Sequence, residues 1–369
     1  MCRRSRLLFL RSTKPVKRMK ESSRNNAPCA ICSLRPADKT NSHLIPSFFI
    51  AMISSVDHSY KRDKELLYTI NEDITTAYIG RGVREEELLR SFDSVSDERL
   101  DMMKQNTDSK DYIFCPHCER KLGEYLESPW HDHLFNQRRI EPSNAYFFWV
   151  SLLWRISAFE VFYFKLPTHL EEALRKRLNA FIQTKDQKGD TSKIMNKLPF
   201  SYKVLYCKDF SKHHEGMIYC EYDRKTKIVS LLLGDVAACF SFNKRKTFDR
   251  FSFYGLESKF SEAPVNDGSS QETILSIDAD VLNAFNSILI PKIQTIRLKE
   301  DKKKILALWD MAINKLGMPL PQKPVEPFIQ FVIKKLYDET VKSGEKTTHE
   351  YFAKCFKLGL DRFYNIRLQ

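Results

Sequence analysis

The sequence predicts an α+β protein: a small cysteine-paired module near the N-terminus, then a larger helical region enclosing a small antiparallel sheet. Three observations carry this. Two C-x-x-C pairs, Cys29/Cys32 and Cys115/Cys118, lie far apart along the chain. Apolar residues recur at helical spacing over residues 144–183 and in segments from 279 onward. Between these stretches, residues 201–254 alternate with period two and are rich in β-branched and aromatic side chains.

A chain of 369 residues is long enough for two or three units, each burying its own apolar core. With 42% hydrophobic and 29% charged residues the composition is that of a soluble globular protein. Charge is less ordinary, because 60 Lys and Arg against 47 Asp and Glu leave +13, a balance that favours polyanionic partners. The excess is concentrated in residues 1–28, which hold nine basic side chains and one acid, Glu21. Residues 1–25 therefore read as a disordered basic arm, with either Met1 or Met19 as the natural start.

Leu7-Leu8-Phe9-Leu10 is too short for a signal-peptide core, so export is not expected and the compartment reads as cytoplasmic. Nine cysteines in a reducing compartment are more often metal ligands than disulfides when they come in close pairs. The apolar stretch Tyr146–Phe164 approaches membrane-spanning length, but Arg155 and Glu160 interrupt it, and it reads as a buried core helix. Within it Trp149 and Trp154 are expected in the core, and Arg155 needs a carboxylate partner, with Glu160 or an acid of residues 57–110 expected. No Gly-rich phosphate loop occurs, which speaks against a nucleotide-binding fold.

Taken in order, residues 26–130 form the cysteine module, with a charged insertion at 57–110 whose helices are expected near Glu85–Ser91 and Asp97–Gln105. A short helix should run from Cys118 to about Leu126, followed by a turn around Pro129 and a linker holding His131, His133 and Pro142. The helical linker and core, 131–200, contains two helices split at Pro167 and a surface loop at Lys185–Lys193. The C-terminal region, 201–369, opens with strands Tyr202–Cys207, Met217–Tyr222, Ile228–Leu233 and Val236–Phe242, with a hairpin turn at Asp223–Lys227. A polar loop, Glu262–Glu272, leads to helices at Ala279–Ser287, Asp301–Leu316, Glu326–Ser343 and His349–Tyr364.

The chemistry is concentrated in the cysteine pairs. Four thiolates converging on one centre are what a closed structural zinc site requires, and Cys29, Cys32, Cys115 and Cys118 are the expected ligands. Eleven residues past Cys32 comes Ser42-His43-Leu44-Ile45-Pro46, and Glu119-Arg120-Lys121 follows Cys118 directly. This arrangement resembles the HNH endonucleases, a treble-clef fold in which a β-hairpin and a helix clamp a divalent ion against a phosphate. The likeness covers about 26–56 and 108–128.

The resemblance implies a metal-dependent endonuclease that hydrolyses phosphodiester bonds, in DNA ahead of RNA, of the kind found in phage defence or on mobile elements. It implies His43 as general base, Glu119 as a ligand for catalytic Mg²⁺ or Mn²⁺ beside the structural Zn²⁺, and Asp111 as the residue orienting the histidine loop. Arg120, Lys121 and His117 would hold backbone phosphates. Two departures stand out: Ser42 replaces the usual acidic ligand, and 82 residues separate Cys32 from Cys115. The alternative is a catalytically inactive, zinc-stabilised nucleic-acid-binding or adaptor protein, in which His43 packs on the knuckle. A protein partner or an oligomer is left open, and no membrane partner is expected. His131 and His133, the pair His213-His214 with Glu215, and the remaining cysteines read as ordinary surface or core residues.

Overall fold

The computed structural model describes residues 27–55, 67–70, 75–78, 109–161, 164–195, 198–214, 218–243, 248, 251–314, 317–343 and 349–366. The basic arm and the helices expected at 85–91 and 97–105 lie outside the described residues.

The chain is mixed α/β. Strand β1 (Ser42–His43) leads into helix α1 (Ser47–Ser54), which Pro46 precedes and whose apolar side chains Phe48, Phe49, Met52 and Ile53 turn inward. Strands β2 (Leu67–Ile70) and β3 (Thr75–Tyr78) pair antiparallel inside the inserted segment. Strand β4 (Ser109–Lys110) then returns to β1, setting Ser42 opposite Lys110 and His43 opposite Ser109.

Helix α2 (Pro116–Leu122) begins at Cys115, whose Sγ accepts the Cys118 N–H at 3.4 Å, with Pro at the first helical position where no N–H is needed. The expected turn at Pro129 does not occur. A single π turn, Gly123–Glu127, carries the chain into helix α3 (Ser128–Asn136), and the widened turn accommodates the missing Pro129 N–H without breaking the axis. His131 and His133 thus stand on a helix and not on a linker.

Helices α4 (Pro142–Ala158) and α5 (Thr168–Asp186) are separated near Pro167 as expected, although α5 continues into the stretch read as a loop. Trp149 and Trp154 are buried in α4, and Trp130 of α3 stacks on Phe148 with ring centroids 4.4 Å apart. None of the described helices is long and apolar enough to cross a membrane.

After the short helix α6 (Ser192–Met195) come β5 (Ser201–Tyr206), the single turn α7 (Phe210–His213), β6 (Ile218–Asp223), β7 (Ile228–Leu233) and β8 (Val236–Ser241). Helix α8 (Glu257–Glu262) precedes β9 (Ile274–Ser276), which was not expected and pairs parallel to β5. The sheet is therefore mixed, in the order β6-β7-β8-β5-β9. A strand of three residues offers too few alternations to register as a period of two.

The finish is helical: α9 (Ala279–Asn314), α10 (Glu326–Ser343) and α11 (His349–Tyr364). The two helices expected between 279 and 316 are one, running through Pro291. The Lys- and Glu-rich run 298–304 consists of good helix formers, and its propensity carries the helix across what reads as punctuation.

Three apolar cores organise these elements. The first is continuous from the cysteine pairs through α1, α2, α3, α4 and α5 to one face of the sheet. A second, with Phe253, Phe260 and Phe285, packs on the other face. A third joins Trp309 of α9 to α10 and α11.

A candidate metal centre beside a buried carboxylate

The two cysteine pairs meet. Cys29, Cys32, Cys115 and Cys118 are all buried, and their sulfurs lie within 4.8 Å of one another, with Cys32 and Cys115 at 4.0 Å. A tetrahedral zinc site with arms of about 2.3 Å has sulfur–sulfur edges of about 3.8 Å, so the four thiols are spaced to hold such an ion.

Local backbone chemistry shapes the cradle. The Cys29 N–H donates to the Arg35 carbonyl and the Ser33 N–H to the Cys29 carbonyl, both at 2.8 Å, with Ser33 in the left-handed region at φ 57°. The Ala30 N–H donates to the Ile113 carbonyl at 2.9 Å, pinning the first pair to the segment that delivers the second.

Electrostatics point the same way. The Cys118 thiol hydrogen-bonds to Cys29 and pulls its pKa down to about 4, whereas donating that bond, together with burial, pushes Cys118 up. Burial also raises Cys115. Thiolates this close repel one another strongly in a dry site, and a dication removes that penalty. The four residues can hold an ion such as zinc. Cys207, Cys220, Cys239 and Cys355 lie elsewhere and form no disulfide among the described residues, and Cys2 lies outside them.

Helix α5 braces this centre. Arg175 Nη1 donates to the Ile31 carbonyl at 3.2 Å and to Ser33 Oγ at 3.3 Å. Asp186, at the far end of α5, bonds His117 Nε2 at 2.9 Å, accepts from Tyr125 Oη at 2.9 Å and pairs with Lys121 Nζ at 3.4 Å. Of the three residues expected to hold phosphates, His117 and Lys121 thus have carboxylate partners within the fold. Arg120 is 62% exposed, beside Glu124 at 3.8 Å.

His43 and Glu119 are neighbours. The Glu119 carboxylate lies against the backbone N–H of His43 and beside the Ser42 hydroxyl, while one of its oxygens, Oε2, is buried with no hydrogen-bond partner among the described residues. Burial pushes the Glu119 pKa up, against the opposing pull of the Arg155 guanidinium. Asp111 stays at the surface, its Oδ1 accepting the Asn41 N–H at 2.7 Å, which ties the turn before His43 to the returning strand.

Arg155 is the residue whose partner the sequence misplaced. Its Nη1 donates to Glu127 Oε1 at 2.6 Å and to the His43 carbonyl at 2.9 Å. Glu160 pairs instead with Lys165, at 3.6 Å. The expected partners lie close in sequence or in the insertion, but the π turn of residues 123–127 ends at Glu127 under α4, and that placement is tertiary. Glu127 and Arg155 thereby join the site; an arginine inside an apolar helix was the signal for one of them.

No family model matches this chain, and no curated protein or solved structure shows significant similarity to it.

Proposed function

We propose that the protein is a zinc-braced, HNH-like endonuclease that hydrolyses phosphodiester bonds in nucleic acid, DNA ahead of RNA. What supports this most is the placement of the Glu119 carboxylate, read as metal ligand, against the backbone N–H of His43, read as general base, at the junction of a cysteine knuckle, a two-stranded ladder and a helix. In this reading the knuckle, β1, β4 and α2 form a treble clef, with Zn²⁺ as its structural ion.

A second ion, Mg²⁺ or Mn²⁺, fits the chemistry of the site. Glu119 Oε2 has no hydrogen-bond partner among the described residues, and such cations are commonly held by one or two carboxylates with water and substrate phosphate completing the shell. When bound, the ion would act as a Lewis acid on the scissile phosphate and stabilise the leaving oxygen. His43 would take a proton from the attacking water, a role suited to an imidazole that ionises near neutrality. Arg155, through the His43 carbonyl, would keep that histidine in register with Glu119. The exposed Arg120 would meet a backbone phosphate.

The second reading, a zinc-stabilised binding or adaptor protein without cleavage, draws on Ser42 in the place of an acid and on the partners already held by His117 and Lys121. Plasmid nicking in Mg²⁺ or Mn²⁺ separates the two. Loss of a general base lowers rate by about a hundredfold or more, so His43→Ala should abolish nicking while salt-sensitive DNA binding persists. Binding without nicking by the native chain would support the adaptor, and nicking unchanged in His43→Ala would remove the nuclease proposal.

A further inference from the structure

A cavity of about 350 Å³ lies where α1, α3 and the C-terminal end of β5 meet. It is distinct from the cysteine centre, although α1 begins four residues after His43. Its lining includes apolar and aromatic side chains, Phe48, Met52 and Phe135, and two cationic ones, Lys208 and Lys212, with Asp209 between them in sequence. His131 also lines it, its ring against Phe48 at 5.4 Å and Phe135 at 4.8 Å.

The two lysines are not equivalent. Lys212 Nζ lies 2.7 Å from Asp209 Oδ1 and is largely neutralised by it. Lys208 lines the cavity and is exposed, and among the described residues no carboxylate pairs with it. A cavity of this size is at the lower end of small-molecule sites, about 300–1,000 Å³, so it holds one ring system with a short appendage. Aromatic walls favour a flat apolar body, and an uncompensated ammonium in the lining favours an anionic group on that body.

We propose that this cavity binds a small aromatic anion, a single ring system bearing a phosphate or carboxylate, with the ring against Phe48 and Phe135 and the anionic group at Lys208. The site stands independently of nuclease activity. It rests on the walls of the cavity and on the placement of Lys208, neither of which involves His43 or Glu119.

Adenosine 5′-monophosphate is a suitable probe, with adenosine and inorganic phosphate as its two halves. Calorimetric titration of the full chain should give saturable one-to-one binding of the monophosphate, with each half weaker by about tenfold or more. Lys208→Glu should weaken monophosphate binding by about tenfold or more, Lys208→Arg should retain it, and His43→Ala should leave it unchanged. The proposal is overturned by absence of monophosphate binding at millimolar concentration, or by binding equal in the native and Lys208→Glu chains. Binding lost in His43→Ala but kept in Lys208→Glu would place the anion at the other site and overturn it equally.

Discussion

Arg155, near the end of an otherwise apolar helix, donates to Glu127 at 2.6 Å and to the carbonyl of His43 at 2.9 Å, so one buried guanidinium joins the helical core to the histidine strand. Burying a guanidinium is costly unless a charge partner and hydrogen bonds compensate it. Here Glu127 and the His43 carbonyl, far apart in sequence, both compensate Nη1, while Nε and Nη2 have no hydrogen-bond partner among the described residues, so loss of either contact would strand the charge further.

Breaking this pair should therefore be expensive. Glu127→Gln leaves the Arg155 charge buried with its nearest carboxylate gone, and stability should fall by about 3 kcal/mol, the lower end for buried pairs because Glu127 is part exposed. Arg155→Met combined with Glu127→Gln should recover much of that loss. Urea midpoints of the two variants test this, and a Glu127→Gln chain as stable as the native one would deny the pair its role.

A second buried carboxylate should impose a pH dependence. Glu272 is enclosed by the indole N–H groups of Trp130 (3.1 Å) and Trp149 (2.8 Å), with His133 Nε2 at 3.5 Å and the Tyr202 hydroxyl also facing it. Burial raises its pKa, outweighing the pull of His133 and of the hydrogen-bond donors. Well below the ordinary glutamate value both folded and unfolded chains are protonated, and the group contributes nothing to pH dependence. As pH rises past that value the unfolded chain releases its proton first, so stability falls until Glu272 itself ionises. Glu272→Gln should shrink the difference in unfolding free energy between about pH 4 and pH 7, measured against the native chain. An unchanged difference would mean that Glu272 does not titrate as its surroundings imply.

The β7–β8 turn docks the sheet against α1. Gly234 has φ +58°, and a methyl group there would meet Ile53 Cγ1 at 2.9 Å and Ser211 Oγ at 3.0 Å, while the Asp235 N–H donates to the Met52 sulfur at 3.3 Å. Gly234→Ala should cost about 1–3 kcal/mol, from left-handed strain together with the displaced neighbours. Thermal unfolding measures it, and a change within error would mean that the turn relaxes freely.

What was legible in the sequence was whatever local spacing dictates. Two C-x-x-C pairs announced four ligands because two intervening residues set both sulfurs of each pair to face one point. The helices Glu326–Ser343 and His349–Tyr364 and the four strands from residue 201 were marked by their periods and by the turns between them. What escaped depends on tertiary placement. Glu272 sits at the end of a polar loop, and nothing beside it signals that two tryptophans from α3 and α4 will close over it. Glu127 looked like one more acid on a short helix until a π turn aimed it at Arg155. Pro129 reads as a break because proline lacks a donor, yet a widened turn carries the helix through, and strong helix formers downstream carry α9 past Pro291.

Metal content is the most direct test, since the neighbourhood of His43 and Glu119 depends on Cys29, Cys32, Cys115 and Cys118 closing around one ion. Elemental analysis of the reduced chain, purified without added metal, should find about one zinc per chain, and a Cys29→Ser, Cys115→Ser double variant should contain none. A native chain free of zinc, or a double variant that retains it in full, would contradict a four-thiolate centre.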